Sequence, residues 1–139
     1  MGGIPFGRVR EALFSICGRK KSRPTPHKEI VMKIMISQPM AGLSAGEIQH
    51  NRSHVVSYLE KRGHVVIDSI ISDRPDNLNN EPLYCLGRSF ELLSKMDACF
   101  FMKGWHETRG CWMEHEACIR YGVPVWYEGE EEPCNIRKS

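Results

Sequence analysis

The sequence predicts an α/β domain, a three-layer αβα sandwich around a parallel sheet of four to five strands. Three observations carry this. Short continuous apolar runs, KIMIS (33–37), HVVIDSI (64–70), DACFFM (97–102) and VPVWY (123–127), alternate with segments of helical spacing. The runs are apolar throughout rather than on alternate residues, as in strands buried on both faces. The order βαβαβαβ demands crossovers, which place helices on both faces of a parallel sheet.

Each element has its own justification. KIMIS ends in the turn-rich QPMAGLS, and residues 45–62 carry Ile48, Val55, Val56 and Leu59 on one helical stripe, with Gly63 as the stop. HVVIDSI is β-branched, and the polar loop SDRPDNLNNEP after it has a length that accompanies function or mobility. A second helix starts near Pro82 and runs into DACFFM; after the loop KGWHETRG, a third, CWMEHEACIRY, ends at Gly122 before VPVWY. In such sheets ligands bind beyond the carboxyl ends of the strands, so loops 38–44, 71–81 and 103–110 surround one crevice.

The chain has 139 residues, 41% hydrophobic and 26% charged, enough for one domain with one core and too few for a second. No stretch approaches a membrane span, and no long low-complexity tract occurs. The net charge of +2 averages two unlike parts: residues 1–31 carry seven basic and two acidic side chains, +5, and the rest sums to −3. A mildly acidic body does not suit a nucleic-acid polymer, which needs a concentrated basic face. A small molecule is the expected partner.

The domain is expected over residues 32–128, with 1–31 a basic extension outside the core and 129–139 an acidic, polar, solvated tail. Within the extension, residues 4–17 have the spacing of a short amphipathic helix, followed by a breaker-rich linker. A targeting or membrane-surface helix, an oligomerisation arm and sequence upstream of a start at Met32 all fit it. Six cysteines (17, 85, 99, 111, 118 and 134) fall mostly in apolar runs with no secretory h-region before them, which reads as reduced thiols in a cytoplasm.

For chemistry, Glu114 and Glu116 stand near the start of the third helix, just past the third strand, where a carboxylate faces the crevice and can act as nucleophile or base. The helix macrodipole alone also favours acids there. Gly110 at the strand-to-helix turn lets backbone N–H groups approach a sugar or phosphate, although no dinucleotide or P-loop motif is present. Cys111, His115 and Cys118 share a helical face, with His106 nearby, but on one helix they span about 10 Å, too far to converge on an ion. No metal or cofactor is therefore expected. Of the tryptophans, Trp105 in the loop is the better stacking surface for a base, Trp126 at a strand end the better core residue.

Three blocks, KIMISQPMAGLS, YCLGRSFELLSKMDACFFMKGW and RGCWMEHEACIRYGVPVW, resemble a family of small uncharacterised bacterial and phage domains related to the nucleoside 2-deoxyribosyltransferases. The resemblance covers Lys33 to Tyr127 with the blocks in order, and implies a flavodoxin- or Rossmann-like fold. The transferases line their sugar pocket with a Gly-Pro pair after the first strand, where Gln38-Pro39 stands here, flanked by Ser37 and Met40. Their helix signature Gly-Thr-x-x-Glu-x-Gly-x-Ala matches Gly110, Cys111 and Glu114, which makes Glu114 the nucleophile at C1′; Glu116 and Cys118 replace the second Gly and the Ala. The aspartate that serves the leaving base has no clear match; Ser89 falls near its place and Glu91 two residues on. Their acidic base-binding loop reads Lys103-Gly104-Trp105-His106-Glu107-Thr108-Arg109 here, so Lys103, Arg109 and Gly110 suit a phosphate.

The resemblance thus implies an N-glycosidic hydrolase or transferase acting on a nucleoside or nucleotide. The altered acids leave a second expectation, a non-catalytic module that binds or senses a nucleotide-derived small molecule, associated with phage or mobile elements. The relatives complete their sites across subunits, which implies a homo-oligomer.

Overall fold

A computed structural model describes residues 31–133. The helix expected over 4–17, its linker, Cys17 and Cys134 lie outside the described residues. The elements are β1 (Lys33–Ser37), α1 (Ala45–Lys61), β2 (Val65–Ile67), α2 (Glu81–Leu93), β3 (Ala98–Phe101), a 3₁₀ turn (Trp105–Glu107), α3 (Arg109–Tyr121) and β4 (Val125–Tyr127). The four strands are parallel in the order β2-β1-β3-β4. This is the α/β sandwich expected, with four strands among the described residues.

The two-residue period of each strand divides the core into two layers. Ile34 and Ile36 of β1, Ala98 and Phe100 of β3 and Trp126 of β4 pack with Val55 and Leu59 of α1. Met35, Cys99 and Phe101 point the other way, with Leu93 of α2 and Cys118 of α3. In register, Met35 stands between Ile67 and Cys99, and Ser37 beside Phe101. Ser37 therefore belongs to the face covered by α2 and α3.

Caps explain where the helices begin and end. Ser44 and Glu47 form a reciprocal capping box on α1, and Gly63, at φ +91°, turns the chain out beyond its end. The Asn80 side chain accepts from Leu83 N–H to start α2. Gly122, at φ +76°, closes α3, and Val123 N–H returns to Cys118 O. This C-terminal motif takes Val123 out of the strand expected over 123–127.

β2 is likewise shorter than the run HVVIDSI. The Asp68 carboxylate accepts from Ile70 N–H, an Asx turn, while Ser69 Oγ donates to Ile36 O, and both draw the chain out of the ladder. The third helix begins at Arg109, two residues before the apolar spacing suggests, because Thr108 is extended and takes the N-cap position.

At the start of the acidic tail Gly129, Glu130 and Glu131 are exposed as expected, but Glu132 is not solvated. Trp126 Nε1–H donates to Glu130 O at 3.1 Å, and the buried Glu132 carboxylate meets Arg62 at 3.5 Å and His64 at 3.1 Å. Complementary charge at the end of α1 draws this segment back over the sheet. Among the described residues no helix is long and apolar enough to cross a membrane.

Leu59 and Trp126 are wholly buried between α1 and the sheet. Truncation to Ala is expected to destabilise by about 2–5 kcal/mol for Leu59 and about 3–5 kcal/mol for Trp126 in urea unfolding. A loss below about 1 kcal/mol at either site would contradict this packing.

Candidate functional site

The strand order places a switch point between β1 and β3: from β1 the chain crosses to β2 on one side, and then to β3 on the other. In sheets wound this way ligands bind in a crevice beyond the carboxyl ends of the two strands that flank the switch point. Ser37 is the last residue of β1, and its carbonyl accepts from Met102 N–H just past β3, at 3.1 Å.

Glu114 lies in the second turn of α3 and is 9% exposed. Ser37 Oγ donates to its Oε1 at 2.6 Å. The Ser89 hydroxyl, from α2, is a second hydrogen-bond partner of the same carboxylate. Burial pushes the Glu114 carboxyl above its ordinary value, and the two hydroxyls pull partway back by favouring the charged form. Cys111, one turn earlier on α3, lies beside Ser37 and Thr108, and burial drives its thiol upward. The result is one acid enclosed by neutral hydroxyl and thiol groups, brought together from β1, α2 and α3.

The other residues marked in the sequence are distributed around this point. Gln38 is buried and turned toward α1, where its Nε2 donates to Ile48 O at 2.8 Å; Pro39 and Met40 are half-buried. Gly104, at φ +87°, lies against Pro39: a Cβ there would stand 3.7 Å from Pro39 Cγ, so the first and third loops meet. Lys103, Arg109 and Gly110 are exposed, and Lys103 N–H donates to Glu128 Oε1 at 2.8 Å. Glu91 is not brought to Glu114; it is exposed and 3.6 Å from Arg88 on its own helix.

Trp105 is half-buried and engaged by the protein itself. Its ring stacks on His115 at 4.0 Å between centroids, and His115 Nε2 lies 2.5 Å from the Tyr127 hydroxyl. Burial lowers the His115 pKa, so the ring in this stack favours its neutral form. Cys111, His115 and Cys118 thus face different neighbours: the Ser37 hydroxyl, Tyr127 and the core beside Cys99.

Sequence reasoning missed the roles of four residues. The hydroxyl of Ser37 holds the acid, a role that only the tertiary pairing reveals. His115 and Tyr127 anchor α3 to β4. Arg52 is buried on α1, and here a signal existed: it sits on the stripe Ile48, Arg52, Val55, Leu59, a cation among apolar residues.

Compared with known proteins, no curated protein matches the chain. Among solved structures, the chain is similar to a 2-deoxyribosyltransferase from the psychrotolerant bacterium Bacillus psychrosaccharolyticus, described as a biocatalyst for the synthesis of antiviral and antitumoral nucleosides. The identity is 20% and the TM-score 0.53, over 75% of this chain and 79% of that one. The shared feature is the fold, as the sequence blocks led one to expect. Residues 32–127 match the family described as a domain of unknown function, DUF4406, and the chain belongs to that family.

Proposed function

We propose that the crevice binds a nucleoside or nucleoside 5′-phosphate and that Glu114 breaks its N-glycosidic bond. The observation that carries this reading is the buried Glu114 carboxylate at the switch point, held by hydroxyls from two other elements. Burial of an acid opposes stability unless it is well paired, and neither hydroxyl brings a compensating charge. An oriented, poorly solvated carboxylate has a chemical use: it can attack an oxocarbenium-like carbon, as in retaining glycosidases.

In the proposed reaction a carboxylate oxygen of Glu114 forms a bond to C1′ as the C1′–N bond breaks. The base departs with the bonding pair and takes up a proton from solvent, which the water or second base that attacks C1′ later returns. Water, or a second base, then attacks C1′ and releases the carboxylate, completing hydrolysis or transfer. Ser37 and Ser89 orient the nucleophile in this scheme, and Pro39 and Met40 line the sugar side. The exposed Lys103 and Arg109, with Gly110 at the start of α3, supply the positive potential for a 5′-phosphate. No step requires a metal.

A second reading, a binding or sensing module without turnover, draws on the position of Glu91. With that acid paired to Arg88 and away from Glu114, it is not placed to protonate a leaving base.

A panel of nucleosides and nucleotides, assayed for released base by chromatography, tests the first reading. Glu114→Ala is expected to lose activity by about a thousandfold or more, and an active Glu114→Ala variant would remove the assignment. Calorimetric binding of an intact nucleotide with no product after long incubation would favour the second reading.

The nucleophile must be ionised, so the acid limb of kcat is expected above the ordinary carboxylate range, and Ser37→Ala should move it higher by deleting a donor to the charged form. A pH–rate profile reads both effects; an unmoved limb in Ser37→Ala would contradict the pairing.

Stability carries the matching signature. A carboxyl whose folded pKa lies above its unfolded value binds its proton more tightly in the native state, so stability falls as pH rises through that interval. Glu114→Gln abolishes this loss, and its advantage over the parent should be larger at about pH 8 than at about pH 4 in paired urea titrations. Parallel pH dependence of the two proteins would show Glu114 to be unperturbed.

A further inference from the structure

We infer that Gln38 and Arg52 form a base-reading subsite on the α1 side of the crevice, one that takes the adjacent donor and acceptor of a nucleobase edge. From the proposed function the inference takes only the location of the crevice, and no chemistry at Glu114.

Successive residues of a strand point to opposite faces, so Gln38 leaves β1 on the side away from Ser37 and Glu114. Its Nε2 donates to Ile48 O on α1 at 2.8 Å, which settles the orientation of the amide. The other amide atom, Oε1, is buried and without a hydrogen-bond partner. One turn beyond Ile48, Arg52 is 6% exposed, and its side chain runs back along α1 toward the carboxyl end of the sheet. Its Nη2 reaches Asp68, just past β2, at 3.5 Å, and its Nη1 is buried with no partner. Among the described residues these are the two buried side-chain polar atoms left unpaired, one acceptor and one donor.

Native proteins hold few such atoms, and each calls for an explanation. The guanidinium is also poorly compensated: its carboxylate partner is distant and 75% exposed, and burial lowers the Arg52 pKa against the pull of Asp68. The pair of atoms defines the ligand. A phosphate or carboxylate accepts only, and Gln38 Oε1 would repel it; a cation is refused by Arg52. A planar group with an acceptor beside a donor satisfies both, as do the amino and ring-nitrogen edges of adenine and cytosine and the imide edge of uracil. Both protein atoms are shielded from solvent. A base seated there directs its sugar across the end of β1 toward Glu114.

Calorimetry of the full chain with free adenine, cytosine and uracil tests this without any bond cleavage. At least one base is expected to bind, with Arg52→Lys weakening it about tenfold or more while near-UV circular dichroism is unchanged. N6,N6-dimethyladenine, which has lost the exocyclic donor, should lose affinity relative to adenine. No binding of any base, equal affinity in Arg52→Lys, or Arg52-dependent binding of inorganic phosphate would each overturn the subsite. Should Arg52→Lys not fold, a crystal of the parent protein with a bound base decides: its edge on Gln38 Oε1 and Arg52 Nη1 supports the subsite, and any other seat overturns it. Arg52-dependent base binding without base release from nucleosides would leave the subsite standing and remove the catalytic reading; base release unaffected by Arg52→Lys would do the reverse.

Discussion

The hydrogen bond from Ser37 to Glu114 joins the carboxyl end of the central strand to α3 at the edge where the sheet reverses its winding. A carboxylate in that position has given up most of its hydration, and the hydroxyls of Ser37 and Ser89 return only part of what water supplied. Three elements must therefore arrive together, since α3 without β1 or α2 would bury an acid with too few donors. The constraint reaches outward from there. Ser37 can serve only because the pleat turns it to the α2–α3 face, and that depends on the register that sets Ile34 and Ile36 against α1.

The same alternation gives the crevice two unlike sides. Toward α2 and α3, the end of β1 presents Ser37, Glu114 and Cys111, a small enclosure with one acid. Toward α1, Gln38 and Arg52 supply an amide and a guanidinium with unpaired atoms. The contact of Gly104 with Pro39 draws the first and third loops together, and the stack of Trp105 on His115 pins the third loop to α3. Positions 37 and 38 are adjacent in the chain, yet one orients an acid and the other faces a separate polar group.

Most of the architecture was legible in the sequence because it rests on local rules. Apolar runs without alternation marked strands covered on both faces, and Gly63 and Gly122 marked two helix ends through conformations that glycine adopts readily. Strand ends were less legible. Whether Asp68 continues a strand depends on its own side chain capping Ile70 N–H, and whether Val123 joins β4 depends on the C-cap of α3. Glu132 read as one more solvated acid, because nothing local shows that Arg62 and His64 wait for it at the end of α1.

By itself, then, the sequence determined the order of elements, the parallel sheet and the presence of Glu114 at the mouth of the crevice, all consequences of periodicity and of the handedness of crossovers. Which side chains meet that carboxylate was decided by the tertiary structure alone. Ser37 and Glu114 are 77 positions apart, and no periodicity along the chain links them. Ser89 joins them and Glu91 does not, because two residues along a helix are about 200° of rotation. Arg52 stands as a cation on an apolar stripe, but its unpaired Nη1, like the unpaired Oε1 of Gln38, follows from packing against atoms distant in sequence. Hydrogen-bond satisfaction is a property of the folded surroundings, and a sequence names only the groups that will require it.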